Sequence, residues 1–207
     1  MEEILEVYHR PYNKARPLIC MDESSKQLIG EVREPLPMQP GSIRKDDDEY
    51  VRKGVAEIFM AVEPLGGTRI TKITETRTCV DWAHFMKEIS DEWYPDAEKI
   101  VLVMDNLNTH DVSSFYKVFE PEEARRLTER FEIHFTPKHG SWLNVAEIEL
   151  SVLKGQCLKE RIDNIETLSN EVEAWMNDRN NRGSKINWQF TTKDARIKLK
   201  KLYPELK

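Results

Sequence analysis

Residues 99–110 read KIVLVMDNLNTH, an uninterrupted apolar run of strand length that stops at Asp105. A strand without polar alternation is one buried on both faces, the habit of a central strand in an α/β sheet. Far upstream, RPLICMDESS at 16–25 has the same form, an apolar run over 17–22 that stops at the adjacent carboxylates Asp22 and Glu23. A single Asp after a strand caps a helix or makes an Asx turn more often than it does chemistry. Two such strands point instead to the crevice beyond the carboxyl ends of sheet strands, where α/β folds bind their ligands. Asp22 followed by Glu23 also has the form of a Walker B strand, but no GxxxxGK[ST] loop occurs among the eight glycines, which excludes a P-loop nucleotide hydrolase.

The composition narrows the class further. A chain of 207 residues with 39% hydrophobic content can bury a real core in one domain with an appended helical piece. No apolar run approaches the length of a membrane span, and the opening MEEILEVYHR is acidic and amphipathic, unlike a signal peptide, so a cytoplasmic location is expected. Cys20, Cys79 and Cys157 are widely spaced and form no CxxC pair, which supports neither a disulfide framework nor a thiolate zinc site. The net charge of −6 argues against a generally basic nucleic-acid coat, although the stretch TTKDARIKLKKLYPELK at 191–207 is basic. The acidic run RKDDDEY at 44–50, with Asp46, Asp47 and Asp48, lacks the alternating ligands and the turn glycine of an EF-hand and reads as a solvated loop.

Working outward from the two strands, VAEIFMAVEPLGGTRITKITETR at 55–77 reads as two strands joined through Gly66 and Gly67, giving an antiparallel meander early in the chain. The intervening loop, 31–50, holds Pro35, Pro37 and Pro40 and is expected to be irregular and exposed. Residues 79–94 have helical spacing with Pro95 beyond, 112–130 is a helical region, and 131–137 is a further short strand. A long amphipathic helix is expected over 141–162, with Leu143, Ala146, Leu150 and Leu153 on one stripe, and another over 166–180. The expected division is a helical lead-in at 1–16, an α/β domain at 17–165 and a packed helical extension at 166–207.

A third carboxylate joins the first two. In TPKHGSWLNVAEIELSVLK, at 136–154, a turn containing Pro137 and Gly140 precedes a helix with Glu147 near its start. This resembles the DDE transposases of the mariner-type superfamily, most closely their bacterial insertion-sequence branch. Their third motif is a proline-containing turn, then Ser, Leu-Asn, two residues and the catalytic Glu; Ser141, Leu143, Asn144 and Glu147 stand in those places. Their first motif, an apolar strand ending in Asp, is matched by LICMDE and Asp22. The second, Asp-Asn with a nearby His, is matched by Asp105, Asn106 and His110. Each motif is weak alone; the ordered set is specific.

The resemblance implies an α/β, RNase H-like fold: a mixed five-stranded sheet with its first three strands antiparallel and helices on both faces. It implies Asp22, Asp105 and Glu147 as the catalytic carboxylates and the ligands of Mg²⁺ or Mn²⁺, as two ions. It also implies metal-dependent cleavage of DNA at transposon ends, strand transfer into target DNA, and a homodimer in the active complex, nucleoid-associated when bound to DNA. Oxygen-only ligands suit those ions, and three carboxylates in one crevice require a cation. Glu149 lies about 200° around the helix from Glu147, so it is excluded from the same site and its substitution is expected to be silent. The 42 positions between Asp105 and Glu147 are a wide interval for the family, and EPEEARRLTER at 120–130 accounts for an insertion. Members usually carry amino-terminal helix-turn-helix domains, whereas 21 residues precede Asp22 here, so the chain reads as the catalytic domain alone. Lys138, His139, Arg196, Lys198, Lys200 and Lys201 are the candidate DNA contacts. Trp142 is assigned to packing at the helix start rather than to base stacking. The rival readings are a transposon-derived module without catalysis and another RNase H-like nuclease.

Overall fold

The computed structural model describes residues 1–45, 47–106 and 111–203. Strands β1 (Leu18–Glu31), β2 (Tyr50–Glu63) and β3 (Thr68–Thr74) form the expected antiparallel meander, with Gly67 in the left-handed region at the β2–β3 turn. β4 (Ile100–Met104) pairs parallel to β1, and β5 (Phe131–Phe135) pairs parallel to β4. The result is a mixed five-stranded sheet of order β3-β2-β1-β4-β5.

Side-chain alternation sorts this sheet into two cores. Cys20, Ile58, Met60, Val62, Val101 and Val103 point to one face. There they meet α1 (Glu2–Tyr8), α5 (Val145–Gln156), α6 (Ile165–Asn181) and α7 (Thr192–Lys198). Ile19, Met21, Phe59, Ala61, Ile100, Leu102 and Met104 point to the other. That face is covered by α2 (Cys79–Glu88), α3 (Ser113–Val118) and α4 (Pro121–Arg130). The period of two along each strand therefore decides which helices a given side chain can reach.

Several boundaries differ from the sequence expectation, each for a local reason. β1 runs on to Glu31 instead of stopping at residue 22, because antiparallel pairing with β2 satisfies its backbone through the polar stretch DESSKQ. Only the pairing with β4 stops near Asp22, its last paired residues being Cys20 and Val103. The helical region 112–130 divides in two, with Phe119 extended and Pro121 opening α4. That second piece, the charged stretch read as an insertion, is the crossover between β4 and β5 and buries Ala124 and Leu127. The helix expected over 141–162 is a 3₁₀ turn, Ser141–Leu143, followed by α5 alone, because Asn144 is extended and caps α5. β5 ends at Phe135, and α2 passes into a π-helical turn, Ile89–Trp93.

The amino-terminal residues contribute to the first core, where Ile4, Leu5, Val7 and Tyr8 of α1 are all buried. His134 on β5 ties α1 to the sheet through Glu3, at 2.6 Å. The proline-containing loop after β1 is exposed, as expected, and carries isolated bridges pairing Leu36 with Lys45 and Gln39 with Ser42, while Arg44 faces Glu160 at 3.3 Å and Arg161 donates to the Asp47 carbonyl at 2.6 Å. Within its acidic run Asp46 lies outside the described residues, while Asp47 faces Arg33 at 3.6 Å.

Candidate active site

The register of β1 on β4 sets the two aspartates side by side. Leu18 is level with Val101 and Cys20 with Val103, where the pairing ends, and Asp22 and Asp105 each follow the last paired residue by two positions. Asp22 shares the parity of Cys20, and Asp105 that of Val103, so both carboxylates leave the sheet on the face covered by α5. The adjacent Glu23 goes to the opposite face, where its buried carboxylate lies 3.4 Å from Arg77. Glu23 nevertheless also lines the crevice of Asp22.

The third motif brings Glu147 to the same place. Gly140 closes a tight turn by donating its N–H to the Pro137 carbonyl at 2.8 Å, and a Cβ there would meet the Pro137 oxygen at 2.9 Å. His139 takes the left-handed conformation, φ 62°, which a side chain of this type adopts at a cost of about 1 kcal/mol. Buried Asn144 then does two things at once. Its Oδ1 accepts from the Ala146 N–H at 3.1 Å, capping α5, while its Nδ2 donates to the Met21 carbonyl at 2.8 Å. The second bond fastens the start of α5 to β1 one residue before Asp22. Glu147, in the first turn, faces a crevice of about 290 Å³ with Asp22, Glu23, Ser24, Leu150, Ser151 and Lys154.

Glu149 belongs to a different system. It is 1% exposed and accepts from Arg69 at 2.8 Å and from Arg179 at 2.6 Å. Against the burial that would raise its pKa, these two guanidinium groups hold Glu149 below the usual carboxylate range. The helix geometry that excludes it from the crevice is as expected, but the silence of its substitution is not. Arg69 is itself fully buried, so deleting Glu149 strands a cation in the interior.

Electrostatics single out Asp22. Burial, reinforced by the negative charges of Glu23, Asp105 and Glu147, pushes its pKa up to about 7, against the lowering effect of the Glu23 N–H donated to it at 2.8 Å. Asp22 thus lies within electrostatic reach of both Asp105 and Glu147. Among the described residues no three Asp, Glu, His or Cys side chains form a ready-made metal cage, so an ion would have to draw these acids together. The donor chemistry fits a hard divalent cation: oxygen ligands only, with a surplus of negative charge that a cation relieves.

The other expected site residues divide. Lys138 and His139 line a cavity of about 470 Å³ with Asp105, Asn106, Thr136, Pro137 and Ser141, so both stand at the second carboxylate. Lys198 lies 5.7 Å over the Phe190 ring, which meets Trp142 edge-on at 5.9 Å, linking the basic segment to the turn before α5. Trp142 makes that packing contact while remaining 43% exposed. Arg196 is turned to α1 instead, with both Glu2 carboxylate oxygens at 2.7 Å. Lys200 and Lys201 are exposed on a 3₁₀ turn, and His110 lies outside the described residues. Two crevice residues were missed in the sequence, Ser151 and Lys154. Their spacing of four and seven from Glu147 on one helix face was the available signal. Another cavity, of about 490 Å³ around Tyr12, Glu63, Trp93 and Tyr94, lies at the other end of β1 and β4, away from these carboxylates.

Comparison with known proteins agrees with the fold. The family model described as DDE superfamily endonuclease matches residues 17–169. No curated protein matches the sequence. Among solved structures, the Mos1 mariner paired-end complex with Mn superposes with a TM-score of 0.56 at 16% identity, over 88% of this chain and 55% of that one. The Mos1 strand transfer complex gives a TM-score of 0.57 at 13% identity, over 85% and 51%. The Mos1 paired-end complex with the left transposon end gives 0.57 at 14%, over 88% and 56%. The chain therefore spans about half the length of these Mos1 chains, and the likeness establishes the RNase H-like fold. With that fold, Asp22 and Asp105 just beyond the paired residues of β1 and β4, and a family match over most of its length, this chain belongs to the DDE superfamily endonucleases.

Proposed function

We propose that the chain is the catalytic domain of a DNA transposase, hydrolysing phosphodiester bonds at transposon ends and joining the freed 3′-hydroxyl to target DNA. The observation that carries this reading is the pairing of β1 with β4 through Cys20 and Val103, two residues before Asp22 and Asp105, with Glu147 of α5 sharing a crevice with Asp22. The Mos1 structures of the same fold are complexes with Mn, with a transposon end and after strand transfer, which supports extending those partners to this chain. On the motif resemblance we read it as a member of the bacterial insertion-sequence branch, acting in the cytoplasm where the DNA lies.

Asp22, Asp105 and Glu147 are the proposed ligands of Mg²⁺ or Mn²⁺, as a pair of ions. Bound there, the ions supply Lewis-acid activation of the attacking water or 3′-hydroxyl and stabilisation of the leaving oxygen. The protein supplies position: β1 and β4 fix two carboxylates, and Asn144 fixes the helix that carries the third. Lys138 and His139, beside Asp105, are placed to contact phosphate, and Lys198, Lys200 and Lys201 offer exposed charge along the flank. Arg196 can join them only by leaving Glu2. Pairing of two chains belongs to the same proposal, and the exposed Leu36, Met38 and Ile43 on the arm between β1 and β2 offer apolar surface for it.

The test is nicking of supercoiled plasmid by the purified chain with Mn²⁺, against Asp105→Asn and Glu147→Gln variants that remain folded. Cleavage by the wild type alone, abolished by chelator, is expected. Nicking that survives chelator or either substitution refutes the reading, and DNA binding without cleavage favours the inactive-module alternative.

A further inference from the structure

We infer that Tyr8 is a positioning residue for the acidic crevice, its hydroxyl setting the spacing between β1 and the start of α5 and hence between Asp22 and Glu147. The inference rests on the metal-carboxylate reading of the crevice. It comes from a helix that precedes all three carboxylate motifs in the sequence.

Tyr8 is the last residue of α1 and is 6% exposed. Its hydroxyl donates to the Leu143 carbonyl at 2.5 Å and accepts from the Val145 N–H at 3.4 Å and from the Cys20 thiol at 3.5 Å. One oxygen therefore touches both sides of the crevice's base. Cys20 lies two residues before Asp22 on the same face of β1, and Val145 lies two residues before Glu147. The ring is fixed by Trp188, with centroids 4.9 Å apart.

The hydroxyl has a specific task here. Val145 is the first residue of α5, and its N–H is one of the orphan donors that every helix start leaves without an intrahelical acceptor. Leu143 closes the preceding 3₁₀ turn and is fully buried, so its carbonyl needs a donor in the interior. Tyr8 meets both needs and adds the tie to Cys20. With the bond from Asn144 to the Met21 carbonyl, the junction is pinned to β1 at two consecutive residues, Cys20 and Met21. A junction pinned twice holds the helix in both distance and rotation. Loss of one pin lets Glu147 drift relative to Asp22 while the apolar contacts that stabilise the fold remain.

A merely structural tyrosine would affect stability alone, so the test separates the two. Mn²⁺ affinity is measured by electron paramagnetic resonance, DNA nicking by steady-state kinetics, and the melting temperature in chelator, for wild type, Tyr8→Phe and Val7→Ala. Val7 is a buried neighbour on α1, and its truncation loosens the packing of the helix without touching the hydroxyl. Tyr8→Phe should bind Mn²⁺ and turn over about tenfold less well with KM for DNA unchanged, the usual scale for groups that orient metal ligands. Its melting temperature should fall less than that of Val7→Ala, which should keep the wild-type Mn²⁺ affinity. Unchanged affinity in Tyr8→Phe overturns the inference, as does affinity lost by both variants in proportion to their stability. Wild-type protein that neither binds Mn²⁺ nor nicks DNA overturns the metal reading itself, and the inference with it. If Tyr8→Phe does not stay folded, Cys20→Ala removes one of the three partners: a weakened Mn²⁺ constant supports the inference and an unchanged one overturns it.

Discussion

Replacing Asp22 by Asn should leave the metal-free protein unchanged near pH 4 and stabilise it near pH 8. Burial, with Glu23, Asp105 and Glu147 nearby, raises the Asp22 pKa from the ordinary 3.8 to about 7. The native state therefore holds this proton more tightly than the unfolded chain does. Its contribution to stability is greatest below the unfolded pKa, is lost as pH rises from about 4 to about 7, and stays lost above that. A shift of about three units corresponds to about 4 kcal/mol at about 1.4 kcal/mol per unit, and the partial exposure of Asp22 makes about 2 to 4 kcal/mol the working range. Asn mimics the protonated acid in shape and cannot ionise. Carboxylates held low by partners, such as Glu132 beside Arg10 and Glu123 beside Arg126, titrate alike in both proteins and cancel from the difference. Urea unfolding in chelator at several pH values between these limits measures it directly. With Mn²⁺ present the gap should narrow, since the wild type gains about 2.7 kcal/mol at a hundredfold excess over its dissociation constant and the variant gains less. A variant no more stable than wild type near pH 8, or a difference that does not change with pH, would refute the account of Asp22 as an acid crowded by its neighbours.

Two further substitutions test the scaffold. Glu149→Ala should destabilise the protein by about 3 to 5 kcal/mol in thermal or urea melts, because Arg69 and Arg179 lose their shared buried carboxylate. Adding Arg69→Met should recover part of that loss, and an unaffected melting temperature in the single variant would show that the ion triad contributes nothing. Asn144→Ala should cost about 1 kcal/mol for the helix cap and should also weaken Mn²⁺ binding measured by titration, since the Met21 carbonyl loses its donor. Asn144→Asp keeps the cap acceptor but turns a buried carboxylate oxygen onto the Met21 carbonyl, so it should restore neither the stability nor the metal affinity.

The local elements were legible in the sequence because their signals are local. The apolar run of KIVLVMD gave β4, Gly66 and Gly67 gave the β2–β3 turn, and the ordered motifs gave Asp22, Asp105 and Glu147 as one set before any contact was known. Helical periodicity alone removed Glu149 from that set. The amino-acid order did not disclose what depends on pairing between distant segments. β1 continues past Asp22 because β2 pairs with it, and no property of DESSKQ announces that partner. Glu149 reads as a surface acid until tertiary packing brings Arg69 and Arg179 to it, and Arg196 reads as free charge until Glu2 meets it from the far end of the chain. Tyr8 was invisible for the same reason, since its partners Cys20, Leu143 and Val145 come together only in the folded sheet. Sequence determined which residues could do the chemistry, because residue type and spacing set chemical capacity and the parity of each strand. Tertiary structure alone decided which of them stand together, which are neutralised by a distant partner, and what holds them there, because hydrogen bonds and ion pairs are set by distance in space rather than along the chain.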